Sequence, residues 1–499
     1  MLNKISPLLK KEYLILYLII LIGAFLRLQG IFTNSFAFTY DVGRDMLALW
    51  DMQNLQKISL IGPTSGLPGV FYGPWWYLML FPFFVMTAGN PQLLTLVIAL
   101  SGVSTILLAF IFGRKLGGIF LGLIFASLIS VSSALASLSS QIWSPNIVPI
   151  FIMFALICLY KIYSKKFPRQ IYFFLLGFLL ALGSESGIVF GFLFLLGIIL
   201  SLTYNLRKRF TFKSIVLFFL GIFAVFSPRI IFEFRHQFLM TKSLINFLMA
   251  GDSSGGFDIS RIVVNRINIL FNNFNTAIAY SNNILGIIVI LFIFFTLIAF
   301  FRYANETTKK FISTSLIVLT VFLVGTIAFK HDIWPHYLVG LPVFYILLFS
   351  ISVSLISQKT NNNLLPGLIV IVVFLINLNP IYLINNLSKP LWVGDASVYR
   401  NQLAVIDYVY NEAKGKEFKY VVYTPPVHDY IYKYLFRWYG SNKYSYLPSG
   451  TSHLAYFILE PDLQYPSRLA DWLKLREKDG EIIKIEQFRS GIIVQTRIH

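Results

Sequence analysis

The chain has 499 residues, of which 57% are hydrophobic, 17% aromatic and 13% charged, and its formal net charge is +19 at pH 7. Soluble domains carry about 25% charged residues, so an ordinary soluble enzyme is excluded; so are disulfide scaffolds and cysteine-metal clusters, because the one cysteine, Cys158, sits in an apolar stretch. Nucleic-acid binding is excluded by distribution: residues 1–385 hold 26 of the 41 Lys and Arg, in short loops between apolar stretches, the positive-inside pattern of a polytopic membrane protein.

In chain order, Lys4 to Lys11 followed by apolar Tyr13 to Ile31 resembles a signal anchor without a small-residue cleavage site. It is expected to be retained with its N-terminus cytoplasmic. Further apolar stretches near 92–112, 117–137, 147–163, 171–184, 187–204, 214–232, 283–301, 311–329, 337–356 and 364–385 bring the expected spans to eleven with 14–31, though 171–184 is short for a crossing. The basic loops at Arg114-Lys115, Lys161 to Arg169, Arg207 to Lys213, Arg302 to Lys310 and Lys359 then fall inside. Pro74 to Pro82, aromatic and interrupted by proline, is expected to lie in the outer interface rather than to cross.

This topology sorts the ten acidic residues of 1–385. Asp41, Asp45, Asp51, Glu185, Glu233, Asp252, Asp258 and Asp332 fall outside, whereas Glu12 and Glu306 fall inside. Outer regions 32–91 and 233–282 are long enough to build a site. Gly43 to Gln53 reads as an interfacial helix, with Met46, Leu47, Leu49 and Trp50 on one side. Gly62 to Gly69 is turn-rich and leads into Phe71-Tyr72-Gly73-Pro74. Residues 386–499 change character, with 15 basic and 12 acidic residues. Strand-like runs at 420–423, 455–459 and 492–494 alternate there with helical stretches near 397–413 and 466–478. A small α/β domain on the outer face is expected.

Charge left at a membrane surface by a chain that avoids it elsewhere marks a candidate site. Asp41, in Phe38-Thr39-Tyr40-Asp41-Val42-Gly43-Arg44-Asp45, is the leading one. Asp45 follows one helical turn later, so the two carboxylates can share a face and raise one another's pKa. Asp41 would take a proton from an acceptor hydroxyl while Arg44 holds an anionic group; the plainer alternative is a carboxylate favouring a helix N-terminus. Asp45 belongs to the binding set by position, though it and Asp51 read as structural. A second cluster, Pro228-Arg229-Ile230-Ile231-Phe232-Glu233-Phe234-Arg235-His236, offers Arg235 as the leading phosphate ligand, because guanidinium grips phosphate in bidentate fashion. Its alternative is a Glu233 pair with Arg229 or Arg235 that anchors a helix end. A third, Lys330-His331-Asp332-Ile333-Trp334-Pro335-His336-Tyr337, adds Lys330 and His336, at a histidine spacing that fits no metal signature. Glu185, between Ser184 and Ser186, can be satisfied locally, and Arg27 can snorkel to headgroups or reach the site. Walker-type loops, a Gly-rich dinucleotide turn, Gly-x-Ser-x-Gly and His-Glu-x-x-His are absent, which disfavours nucleotide-sugar or ATP chemistry.

Several of these motifs resemble GT-C glycosyltransferases. They are Phe25-Leu26-Arg27-Leu28, Tyr40-Asp41-x-x-Arg44-Asp45, Tyr72-Gly73-Pro74-Trp75-Trp76-Tyr77, Trp143-x-Pro145-Asn146, Phe232-Glu233-x-Arg235-His236 and Pro335-His336-Tyr337. Within that group the chain is similar to bacterial dolichyl-phosphate-mannose-protein mannosyltransferases and aminoarabinose transferases (glycosyltransferase family 39-like), over about residues 1–350. The resemblance implies an all-α polytopic membrane fold of eleven to thirteen membrane helices with interfacial helices in the first outer loop. It also implies a sugar donor on polyprenyl phosphate, inverting transfer, and Asp41 in the place of the catalytic aspartate. Two positions depart from the family: its second acidic residue falls on Asn146, which removes a ligand from any divalent cation, and a lysine before the aromatic stretch is replaced by Tyr72-Gly73.

The expected function is therefore transfer of a sugar from a polyprenyl-phosphate donor to an acceptor hydroxyl on the outer face of the cytoplasmic membrane. Residues 1–385 would form the transmembrane catalytic domain and 386–499 the extracytoplasmic α/β domain. Asp41 would be the general base; Arg44, Asp45, Tyr72, Trp75, Glu233, Arg235, His236, Lys330 and His336 would bind substrate. No metal ligand and no cofactor are assigned; a divalent cation stays open as an alternative that Asn146 disfavours. The alternatives are a lipid-linked sugar flippase, which would favour internal repeats and mid-bilayer polar residues, and a non-catalytic lipid-carrier-binding assembly protein.

Overall fold

The computed structural model describes residues 11–207, 211–249, 259–329, 331–379, 395–425 and 428–498. The helices in order are α1 (Lys11–Phe32), α2 (Tyr40–Leu55), α3 (Trp75–Met86), α4 (Pro91–Gly117), α5 (Ile119–Val131), α6 (Ser133–Ser137), α7 (Val148–Tyr163) and α8 (Ile171–Ser186). They continue with α9 (Ile188–Leu206), α10 (Phe212–Arg235), α11 (Leu239–Met249), α12 (Ile259–Ile278), α13 (Asn283–Phe300), α14 (Glu306–Ala328), α15 (Leu341–Thr360) and α16 (Leu364–Leu378). Among the described residues, eight helices are long and apolar enough to cross a bilayer, or nine if the α5–α6 pair, bent by 58°, counts as one span. The chain is thus an all-α polytopic membrane protein with a small C-terminal sheet. Two stretches read from sequence as full spans, α8 and α16, are 16 and 15 residues long.

Local chemistry sets the helix ends. The Asn90 side chain accepts from the backbone N–H of Gln92 and Leu93, with Pro91 opening α4. Gly118, at φ +91, separates α4 from α5 where a side chain would be strained. At the α5–α6 break, buried Arg27 donates to the carbonyls of Ile129 at 2.9 Å and Ser130 at 2.8 Å, and to Gly23 at 3.0 Å within α1. Arg27 therefore serves the carbonyls that the bend releases, and neither snorkels nor reaches a surface site. Centrally placed α15 is almost wholly buried, and its Ser350 and Ser352 hydroxyls bond back to Ile346 and Leu348 carbonyls.

One crossing matters most for function. A Cβ on Gly177 would lie 2.0 Å from the Phe218 carbonyl oxygen, and one on Gly221 would lie 2.2 Å from that of Phe174. Here α8 and α10 pack backbone against backbone, as small residues allow. About two turns further along each helix, that contact brings Glu185 and Arg229 side by side. The region 233–282 forms α11 and α12, and buried Arg266 in α12 donates to carbonyls of Thr326, Phe329 and His331, closing the end of α14.

The C-terminal strands are β1 (Lys419–Tyr423), β2 (Leu454–Leu459), β3 (Glu481–Gln487) and β4 (Ile493–Ile498), in the order β1-β2-β4-β3. β1 and β2 are parallel; the other pairs are antiparallel. This segment shares one hydrophobic core with the first loop: Phe36, Phe38, Val42, Met46, Leu49 and Trp76 pack with Tyr399, Val405, Ile406, Ile431 and Tyr434. Backbone bonds from Phe38 to Ser397 and from Tyr399 to Phe36 stitch the two together. So do side-chain bonds from Gln402 to the Phe38 carbonyl and from Trp438 to that of Ala88. A Cβ on Gly43 would meet the Ile431 backbone nitrogen at 2.6 Å, so α2 and the Tyr430–Leu435 helix touch through their backbones.

Candidate functional site

Helix α2 begins at Tyr40, one residue before Asp41, and the Gln141 amide holds the preceding Thr39 hydroxyl at 2.9 Å. Asp41 thus lies in the first turn, where a helix dipole favours an anion. Arg44, one turn on, pairs with Asp41 through Nη1 at 2.8 Å and with Asp45 through Nη2 at 2.9 Å. Asp45 is 1% exposed and also accepts from Trp76 Nε1 at 2.8 Å and the Tyr77 hydroxyl at 3.1 Å. That carboxylate is saturated: it fixes Arg44 and pins α2 to α3. Asp41, 24% exposed, is the carboxylate of the pair open to a substrate.

Burial raises the Asp41 carboxyl above its ordinary value, although Arg44 beside it pulls the other way. Burial alone would lower the Arg44 guanidinium, but Asp45 and Asp41 outweigh it and hold the cation firmly protonated. The result is a carboxylate made more basic than usual, aimed by a permanent cation, as a general base requires.

The second charged cluster lies behind the Gly62–Gly73 loop. Backbone bonds between Gly62 and Tyr72 and between Tyr72 and Pro63 close this loop, and a Cβ on Gly62 would meet the Gly73 carbonyl oxygen at 2.1 Å. Phe71 packs edge-on against Phe232 of α10 at 5.8 Å. Glu185, 1% exposed, forms an ion pair with Arg229 and fills the space over Gly73, where a Cβ would fall 1.5 Å from its Oε2. Tyr72 feels the charges of both clusters. Burial pushes its hydroxyl up to about 12; Tyr337 and Asp41 add to the shift, while Arg44 and Arg229 oppose it.

Arg229 also faces outward, into an open groove of about 340 Å³ lined by Phe226, Ile230, Glu233, Phe234, Phe238 and Thr241. Phe226, Ile230 and Phe234 repeat every fourth residue along a helix long enough to cross the bilayer, so the groove runs lengthwise with a guanidinium beside it. Pro228 lacks the N–H that Ala224 would receive, and the Ser227 hydroxyl bonds that carbonyl instead at 3.1 Å. The neighbouring Val225 carbonyl accepts Trp75 Nε1 at 2.6 Å, tying α3 to the groove helix.

Asp41, Arg44 and Asp45 thus come together, Tyr72 lies within their electrostatic reach, and Trp75 is tied to α10. Glu233 lines the groove, but its carboxylate accepts from Met240 N at 2.8 Å and Thr241 N at 2.9 Å. It caps the start of α11 and forms an ion pair with neither Arg229 nor Arg235. Arg235 is exposed at the end of α10, without an ion pair among the described residues. His236 stacks on Phe232 at 4.0 Å, its Nδ1 within 2.9 Å of that residue's carbonyl. His336 meets Trp143 edge-on at 5.0 Å, and burial drives it down to about 4, so it is neutral at physiological pH. Lys330 lies outside the described residues. Glu185 and Arg229, which the sequence offered only as local partners, occupy the junction of the two clusters; glutamate and arginine at the same end of two glycine-crossed helices would have been the signal.

The carboxylates do not suit a divalent cation. Asp45 is consumed by Arg44, Trp76 and Tyr77, Asp41 is paired to Arg44, and the Asn146 amide donates to the Gln141 carbonyl at 3.0 Å.

No protein-family profile matches this chain, and no curated protein sequence does. Solved structures do. ArnT from Cupriavidus metallidurans in the apo state superposes with a TM-score of 0.59 at 10% identity, over 97% of each chain. ArnT from the same organism bound to undecaprenyl phosphate gives a TM-score of 0.56 at 11% identity, again over 97% of both. The Archaeoglobus fulgidus oligosaccharyltransferase in the apo form gives 0.45 at 13% identity, over 75% of this chain and 55% of that one. The likeness to ArnT spans membrane helices and C-terminal segment alike, and shows that the two chains share a fold.

Proposed function

We propose that this chain is an integral-membrane glycosyltransferase that moves a sugar from a polyprenyl-phosphate donor to an acceptor hydroxyl, with inversion, on the outer face of the cytoplasmic membrane. One observation carries the reading: a partly exposed carboxylate paired to Arg44 shares the electrostatic surroundings of Tyr72 with Arg229, which opens onto an aromatic groove along a membrane helix. A prenyl chain suits Phe226, Ile230 and Phe234; its phosphate suits Arg229 and Arg44. That ArnT has been crystallised with undecaprenyl phosphate supports the same donor class here.

In this mechanism Arg229 and Arg44 receive the charge that develops on the departing phosphate. Such electrostatic stabilisation is usually the largest single contribution to an enzyme's rate. Asp41, held by Arg44, takes the proton from the incoming hydroxyl, which contributes about 100- to 10,000-fold. Arg229 precedes Arg235 as phosphate ligand because it lines the groove. Tyr72 stands between base and phosphate site, occupying the place of the lysine carried by some relatives.

The test is to incubate purified protein with undecaprenyl-phosphate sugars and candidate acceptors, and to follow transfer, carrier release and lipid movement separately. Asp41→Asn should abolish transfer and leave undecaprenyl-phosphate binding within about twofold of wild type. Turnover retained by that variant would remove Asp41 from the mechanism, and sugar crossing the bilayer without transfer would favour a flippase.

A further inference from the structure

The donor side of Asp41 is described above; the acceptor must come from elsewhere. In an inverting displacement, nucleophile and leaving group occupy opposite faces of the anomeric carbon. Along α2, Arg44 lies one turn beyond Tyr40 on the same face, so Asp41 stands between a cationic end and an aromatic end. The cationic end leads through Tyr72 to Arg229. The aromatic end meets the C-terminal segment.

There Tyr40 and His428 face one another, with ring centroids 6.4 Å apart and planes inclined by 27°. His428 stacks in turn on Tyr430 at 5.2 Å and 10°. His428 is exposed and both tyrosines are half-buried. The contact of Gly43 with the Tyr430–Ile431 backbone fixes this rim against the catalytic helix. Tyr40 lies close enough to Asp41 that, after burial, that carboxylate is the strongest influence raising its hydroxyl. Nearby Lys433 pairs with Asp429 at 2.8 Å.

We infer that Tyr40, His428 and Tyr430 form the acceptor subsite and that it takes a hydroxyl carried on a neutral sugar ring. The inference rests on the function proposed above. Two phenols and an imidazole in near-parallel array, with His428 exposed, offer an outer aromatic face to the C–H face of a pyranose and polar edges to its hydroxyls. A hydroxyl seated there points to Asp41 from the side away from the phosphate. In the reaction the acceptor oxygen bonds to the anomeric carbon, its proton passes to Asp41, and the carrier leaves as polyprenyl phosphate with the electrons of the broken C–O bond.

Saturation-transfer NMR on the full-length protein in nanodiscs tests this, with methyl α-D-mannopyranoside, methyl β-D-glucopyranoside and N-acetylserine methylamide as probes. Undecaprenyl-phosphate affinity is measured in parallel. A glycoside should show saturation, falling about five- to tenfold in His428→Ala and in Tyr430→Leu, for the loss of one stacking face. His428→Trp should restore it, while carrier affinity and Tm stay at wild-type values. Because His428 is exposed, its variants keep the core intact. Glycoside saturation unchanged in His428→Ala, no saturation by either glycoside, or saturation by the serine amide alone would each overturn the subsite. Failure of wild type to bind undecaprenyl phosphate would count against the donor reading instead.

Discussion

Replacing Arg229 by methionine separates the two tasks assigned to it. Glu185 is 1% exposed and Arg229 19%, so the variant strands a carboxylate in the protein interior. Breaking a buried pair from one side costs about 3–5 kcal/mol, and the partial exposure of Arg229 argues for the lower end. Removing both charges, in Glu185→Gln/Arg229→Met, should restore most of that stability, since an uncharged buried pair is commonly as stable as the ionic one. Carrier binding follows another pattern. A charge-assisted bond to phosphate is worth about 1.5–3 kcal/mol, so Arg229→Met and the double variant should both bind undecaprenyl phosphate about 10- to 150-fold more weakly. Glu185→Gln alone should bind it more tightly, because the carboxylate beside Arg229 repels a phosphate held by that guanidinium. The chain supplies its own stability probe, because Cys158 is its single cysteine and is buried, so a thiol-reactive fluorophore reports unfolding during a thermal ramp. The scheme fails if Arg229→Met binds the carrier like wild type, or if the double variant is no more stable than Arg229→Met.

Two further perturbations probe the base and the contact behind it. Because burial raises Asp41 and its ionised form is the proposed base, kcat/KM should fall as pH drops through a value above that of an ordinary aspartate. His336, already neutral around pH 7, should leave that acid limb in place when changed to glutamine; a limb that vanishes in His336→Gln would reassign the base. At Gly43, valine would push on the Ile431 backbone at a cost of about 1–3 kcal/mol from overpacking. It should lower both Tm and turnover, whereas Gly66→Ala, with open space around the new Cβ, should change neither; equal behaviour of the two would mean the contact is slack.

Much of the architecture was legible because its signals are local. Apolar length announced the membrane helices, and charge at the membrane surface singled out Asp41, Arg44 and Asp45, although Arg44 was read as a ligand for an anion and pairs instead with both carboxylates. Runs at 420–423, 455–459 and 492–494 foretold β1, β2 and β4. β3 escaped because Glu481-Ile482-Ile483-Lys484-Ile485-Glu486 mixes charge and isoleucine without clean alternation, as an exposed edge strand does. α11 and α12 escaped because they lie along a loop region chosen by charge rather than by helical period. The pairing of Glu185 with Arg229 spans 44 residues and depends on where Gly177 and Gly221 let two helices meet, which only the packed bundle decides. The partner of Glu233 was misjudged for a related reason: the backbone N–H groups opening α11 are acceptor-seeking, and they outcompeted the arginines. The aromatic rim at His428 was invisible, since it is built from residues nearly 400 positions apart.

The shared core between the first loop and the C-terminal segment has a consequence for biosynthesis. Helix α2 leaves the ribosome early, yet the residues that bury Val42, Met46 and Leu49, from Tyr399 to Tyr434, are made only when most of the chain has been inserted. Until then the nascent polypeptide carries Asp41 on a half-covered helix, and each contact that completes it closes a very long loop, which is slow to form. Competence to react is thereby deferred to the end of translation, so that an unfinished chain stalled in the membrane would be an inert one.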